Sequence, residues 1–373
     1  MPTPALRLSA IFLIPLALIS LAGCGGNRAT VCPSATASNC CDSASDACPS
    51  PRFLYAAGIS GEISSFQVSG GGALGTPVTI AGPAETLGMA TSNNQFLYVS
   101  DFQNSQISAW SNAMTGNLAA VPGSPFALGP LSIGAGLATT KTGFLYVADV
   151  GRIDAFQVGS TGALTAVPNS PFPSGVNLFL AVDPQDRFVF ASDDAPPGGV
   201  LAFTIDSSTG ELTAVPGSPF AALPNAAISQ PEAIRVDSTG NFVYATLLST
   251  GQVAGFALVD ASGALTPIPG SPFTVGDEPI ALATVSNFLY VAGGGTLSGF
   301  SVNPTNGVLT PIPGSPFAIS TGALTIDPAG NVLYASVKGG ISAYTINPDT
   351  GALAPIAGSP FPSGAATVLT IVQ

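Results

Sequence analysis

A short aromatic strand signature, Phe-Leu-Tyr or a close variant, recurs seven times along the chain. It begins at Phe53, Phe96, Phe144, Phe188, Phe242, Phe288 and Val332, at intervals of 43 to 54 residues. A unit of that length is one four-stranded propeller blade, a sheet that cannot cover both its faces alone and must stack against its neighbours. The expected fold is therefore all-β: a seven-bladed β-propeller over residues 52–373, with four antiparallel strands per blade. A length of 373 residues would otherwise suggest two domains.

The blade around Phe144 shows the pattern. In Phe-Leu-Tyr-Val-Ala, residues 144 and 146 share one face and residue 145 the other. A third strand follows, with an aromatic as its fourth residue in every copy: Phe66, Trp110, Phe156, Phe203, Phe256, Phe300 and Tyr344. Gly162 then supplies the positive φ of a tight turn, and a fourth strand is expected from Leu164 to Phe172. Its ending, Ser-Pro-Phe, recurs with phenylalanines at 126, 220, 273, 317 and 361. Proline inside this strand, at Pro122, Pro168, Pro216, Pro267 and Pro311 among others, donates nothing to a ladder and marks an outer edge. The innermost strand is then the small apolar segment before each signature, such as residues 178–183 or 323–327. Blade one lacks one, and the chain ends in an unpaired Val-Leu-Thr-Ile-Val. Ring closure by that C-terminal strand follows.

Charge is sparse, with 8 Lys+Arg against 20 Asp+Glu and a net charge of −12. No basic stripe exists to neutralise phosphates, so nucleic-acid partners are not expected. The chain has no histidine, which removes the commonest general base and every triad built on one. Residues 1–23 read as a secretory signal: Arg7, then an apolar run too short and interrupted for a confident span. Its end, Leu-Ala-Gly-Cys, resembles a bacterial lipoprotein cleavage box. The resemblance implies lipidation at Cys24, and so an exported protein held to a membrane of the cell envelope. Cys32, Cys40, Cys41 and Cys48 lie in the tether, residues 24–51, as disulfide candidates of open pairing. A monomer is expected.

The repeat absorbs nearly all 29 aromatic residues, leaving Phe12 in the signal, Phe102 in a loop and Phe179 on an inner strand, where it is positioned to plug the channel. Aspartate follows the signature strand in three consecutive blades, at Asp101, Asp149 and Asp193, with Asp194 adjacent. These loops share one face, so they form either an acidic arc for calcium or a polyhydroxylated ligand, or three self-capped turns. The same face brings Glu85, Glu232, Asp277 and Glu278, with Arg152, Lys338 and Arg235 as its bases. Arg235 interrupts an apolar inner strand and needs a partner, either a ligand in the channel or an acid across blades. The candidate ligand-binding set is Asp101, Phe102, Asp149, Arg152, Asp193, Asp194, Glu278 and Lys338. The candidate catalytic set is Glu232, Arg235 and Asp149, and no cofactor other than calcium is expected.

The Phe-Leu-Tyr-Val strand, the Ile-x-x-Phe-x-Val strand and the Gly-x-Leu-Thr-x-Val-Pro-Gly-Ser-Pro-Phe unit resemble the lactonase-like seven-bladed propellers. That group includes propeller-type 6-phosphogluconolactonases and YVTN-repeat surface proteins. The resemblance implies lactone hydrolysis by a His/Arg/Glu set, whose first member this chain lacks. The expected role is therefore a lipid-anchored ligand- or protein-binding module, with lactone hydrolysis by acidic residues, or a structural surface role, as alternatives.

Overall fold

The structure is a computed structural model and describes residues 52–372, except 130–134, 177–178, 225–228 and 365. The expectations for the signal, Cys24 and the cysteine tether lie outside the described residues. Seven antiparallel sheets form the ring, six of them built in chain order from channel to rim, while the first takes its innermost strand from the C-terminal end of the chain. In blade four, Leu180–Val182, Phe188–Asp193, Gly199–Ile205 and Leu212–Ala214 lie side by side. Second strands such as Phe96–Asp101 and Phe242–Leu247 are buried at every position. They sit mid-sheet with a blade on each face, which explains their continuous apolar runs.

The core is shared between blades. Phe188 and Phe190 of blade four pack with Ile234, Val243 and Phe256 of blade five. Leu54 and Phe66 of blade one meet Val332 and Tyr334 of blade seven. Two further contacts explain the signature. Each tyrosine donates its hydroxyl to a backbone carbonyl of the next blade: Tyr98 to Gly162 (2.8 Å), Tyr146 to Gly210 (2.9 Å), Tyr244 to Gly307 (2.7 Å) and Tyr290 to Gly351 (2.6 Å). Tyr55 reaches Ala113, and Tyr334 crosses the seam to Gly72 at 2.9 Å. The same glycine turns press on the signature's first aromatic. A Cβ on Gly210 would fall 2.4 Å from Phe144, at a φ of +77°. The turn thus needs glycine for both its backbone and its neighbour.

Ring closure is as expected. Val368–Val372 pairs antiparallel with Arg52–Ala57, from Phe53 opposite Val372 to Ala57 opposite Val368. Arg52 also forms an ion pair with Asp327 of blade seven, Nη1 to Oδ2 at 2.5 Å.

The outer strand departs from expectation. It is two short runs, Leu164–Ala166 and Phe172–Val176 in blade three, both paired with the third strand. Pro168 and Pro171 have no N–H to give, so the chain leaves the ladder between them. Ser170 fills the gap, its hydroxyl accepting from the Ala155 amide at 2.9 Å. Ser124, Ser218, Ser271, Ser315 and Ser359 do the same in their blades. The Ser-Pro-Phe unit is thus a ladder repair at the rim.

Candidate functional site: the central channel

The channel is lined by residues from all seven blades and encloses a cavity of about 340 Å³. Its walls are the starts of the innermost strands, where a recurrent device exposes backbone. The Gly88, Phe179, Ala233 and Ala323 amides step out of the ladder. Each donates instead to a hydroxyl of the adjacent strand: Ser100 (2.8 Å), Ser192 (3.3 Å), Thr246 (3.0 Å) and Ser336 (2.8 Å). A buried amide without such a partner would be costly.

In blade five the register shifts between Pro231 and Ile234. A regular strand would point residues 232 and 235 to opposite faces. Across the bulge, Glu232 and Arg235 both line the channel. They are the only charged side chains among the described residues that do so. Arg235 donates from Nη1 to the Ile234 carbonyl at 2.8 Å. It makes no ion pair among the described residues. Burial lowers its pKa from the ordinary value, yet a guanidinium holds its charge. Burial also raises the Glu232 carboxyl, and the charge of Asp194 raises it further. Asp194 is itself raised, by burial and then by Asp193. The loop of blade four thus acts electrostatically on the strand of blade five. Sequence alone did not link them, because adjacency between blades is a tertiary fact.

Phe179 lines the channel as expected, at the position Gly88, Ala233 and Ala323 hold elsewhere. The other candidates lie outside the channel lining. Asp101 is buried and accepts from the Asn104 amide at 3.1 Å and from Gln106 Nε2 at 2.9 Å. Asp149 is buried, accepting from the Val150 amide at 2.8 Å and pairing with Arg152 at 2.9 Å. Arg152 binds Asp154 as well, at 3.0 Å. Asp193 accepts from the Ala195 amide at 3.1 Å. These aspartates turn in on their own loops, the self-capping alternative. Among the described residues no three or more acid, thiol or imidazole groups converge as a metal site would. Glu85 is half-buried. Asp277, Glu278 and Lys338 are exposed, and Phe102 is partly so.

No protein-family model matches the sequence, and no curated protein matches it. Solved structures do. A presumed 6-phosphogluconolactonase of Bacteroides uniformis superposes with a TM-score of 0.70 at 20% identity, covering 86% of this chain and 99% of that one. The periplasmic gluconolactonase of Pseudomonas aeruginosa gives 0.71 at 17% identity, over 87% and 99%. Virginiamycin B lyase of Staphylococcus aureus gives 0.52 at 13%, over 78% and 92%. At such identities the likeness is one of fold: the chain is a seven-bladed propeller of the architecture seen in the presumed 6-phosphogluconolactonases and the periplasmic gluconolactonase.

Proposed function

We propose that the chain is an exported, lipid-anchored propeller that binds a small molecule in its central channel. The observation carrying the reading is Arg235, a cation within the channel whose one hydrogen bond among the described residues goes to its own strand. A mostly apolar cavity with a few placed polar groups is the usual form of a small-molecule site. The leader ending at Cys24 supports export and anchoring. Two experiments test this. Cys24→Ser should move the protein from the membrane to the soluble fraction. Thermal-shift titration with small carbonyl and carboxylate compounds should raise the Tm of the native chain but not of Arg235→Met. Equal shifts in both proteins would remove the channel from consideration.

A second reading, lactone hydrolysis, is favoured by the Glu232 carboxyl lining the same channel as that guanidinium and by the names of the structural neighbours. In it, ionised Glu232 takes a proton from a water attacking the lactone carbonyl, and Arg235 holds the developing oxyanion. The ring oxygen leaves and takes up a proton, giving a hydroxy acid. Glu232→Gln should lower turnover about 10²–10⁴-fold. Unchanged turnover excludes that role.

A further inference from the structure

The ligands that suggest themselves from the neighbours' names are sugar lactones, which carry a hydroxyl on nearly every carbon. Each hydroxyl exchanges water for a protein partner on binding, and one left unpaired costs roughly fivefold to more than a hundredfold in affinity. The channel has few partners to offer. Its inner-strand amides at Gly88, Phe179, Ala233 and Ala323 are already taken by Ser and Thr hydroxyls. The hydroxyl of Thr367, which also lines it, donates to the Thr86 carbonyl at 3.0 Å. Among the polar side chains of the lining, Glu232 and Arg235 remain. The rest of the lining is aliphatic or small apart from Phe179 and Met89, and Leu87 and Ile280, 37% and 40% exposed, line the same cavity.

We propose that the channel takes a lactone bearing an alkyl chain, with its carbonyl on Arg235 and its chain along the aliphatic wall. This rests on the reading of the channel as the binding site and narrows its ligand class. The single cation matches a single carbonyl oxygen. The opposed charges of Glu232 and Arg235 suit a neutral head better than an anion. The leucine and isoleucine surface, continuous to exposed residues, suits a chain that enters from water.

Isothermal titration of the purified full-length chain with δ-octalactone, δ-decalactone, δ-dodecalactone and glucono-δ-lactone tests this. Burial of one methylene is worth about fourfold in affinity, so each two-carbon step should tighten Kd roughly 15-fold until the cavity is filled. Glucono-δ-lactone should bind at least ~100-fold more weakly than δ-decalactone. Arg235→Met should weaken every alkyl lactone while keeping the dependence on chain length. Ile280→Asn, at a position exposed to the channel, should flatten that dependence while leaving the Tm near that of the native chain. Tighter binding of glucono-δ-lactone, lost in Arg235→Met, would overturn the alkyl class and leave the channel as the site. Alkyl-lactone binding indifferent to both substitutions, or no binding by any of the four, would overturn both.

Discussion

Replacing Tyr146 by Phe removes one hydroxyl and no other atom. That hydroxyl sits on a fully buried ring and donates at 2.9 Å to the carbonyl of Gly210, itself buried in the next blade. The mutant loses a hydrogen bond and leaves an acceptor dry, so the cost should be about 1–3 kcal/mol. Scaled to a ring of this size, unfolding entropy gives roughly 1.5 °C of Tm per kcal/mol, hence a fall of about 2–4 °C. Blade four supplies the converse experiment. Its signature reads Phe-Val-Phe, and Phe190 stands where the other six blades carry tyrosine. Phe190→Tyr should stabilise by about 1 kcal/mol if the bond is worth what the other blades imply. Urea unfolding with unchanged slope is the assay. Burial also pushes these phenols upward, Tyr55 to about 12. A raised folded pKa means the native state keeps protons that the unfolded chain gives up. The stabilisation is therefore complete below pH ~10 and is lost as pH climbs above it. Each Tyr→Phe variant should make alkaline unfolding less steep by one titrating group. A Tyr146→Phe protein as stable as wild type in urea below pH ~10, or a Phe190→Tyr protein less stable, would refute the inter-blade bond as a stability element.

Gly210→Ala should cost more than Tyr146→Phe, because its Cβ would meet Phe144 at 2.4 Å and its φ is +77°. The overpacking and the positive φ add, so a loss of about 2–5 kcal/mol in urea, larger than that of Tyr146→Phe in the same assay, is expected. Glu232→Gln should be more stable than wild type at pH 7. The raised carboxyl makes the charged form unfavourable in the fold, a penalty that vanishes as pH falls below the ordinary value of 4.5. Paired melts at pH 4 and pH 7 read this, and equal differences at both would refute it. Deleting residues 367–373 exposes the paired edge of Arg52–Ala57 and should abolish cooperative unfolding in calorimetry.

Blade number, strand order and closure were legible because each rests on local repetition. The Phe-Leu-Tyr period counts blades, proline marks the rim, and an unmatched terminal strand has only blade one to join. The two-part outer strand was not, because proline shows where a ladder fails and not what replaces it. The Ser170 hydroxyl on Ala155 is visible only in space. The candidate site divides the same way. Arg235 and Phe179 stood out as residues that break their repeat, and both line the channel. Asp101, Asp149 and Asp193 stood out by the same test, yet their carboxylates cap their own loops.

The sequence by itself determined a closed ring of seven four-stranded blades, since a repeated sheet with two apolar faces is stable only between copies of itself. It also determined that no mechanism here runs through histidine. Only the tertiary structure decided which charges meet. A bulge between Pro231 and Ile234 turns Glu232 and Arg235 into one channel, and a neighbouring blade brings Asp194 to bear on Glu232. One inserted residue in a ladder reverses the face of a side chain, and no period of two in the sequence records it.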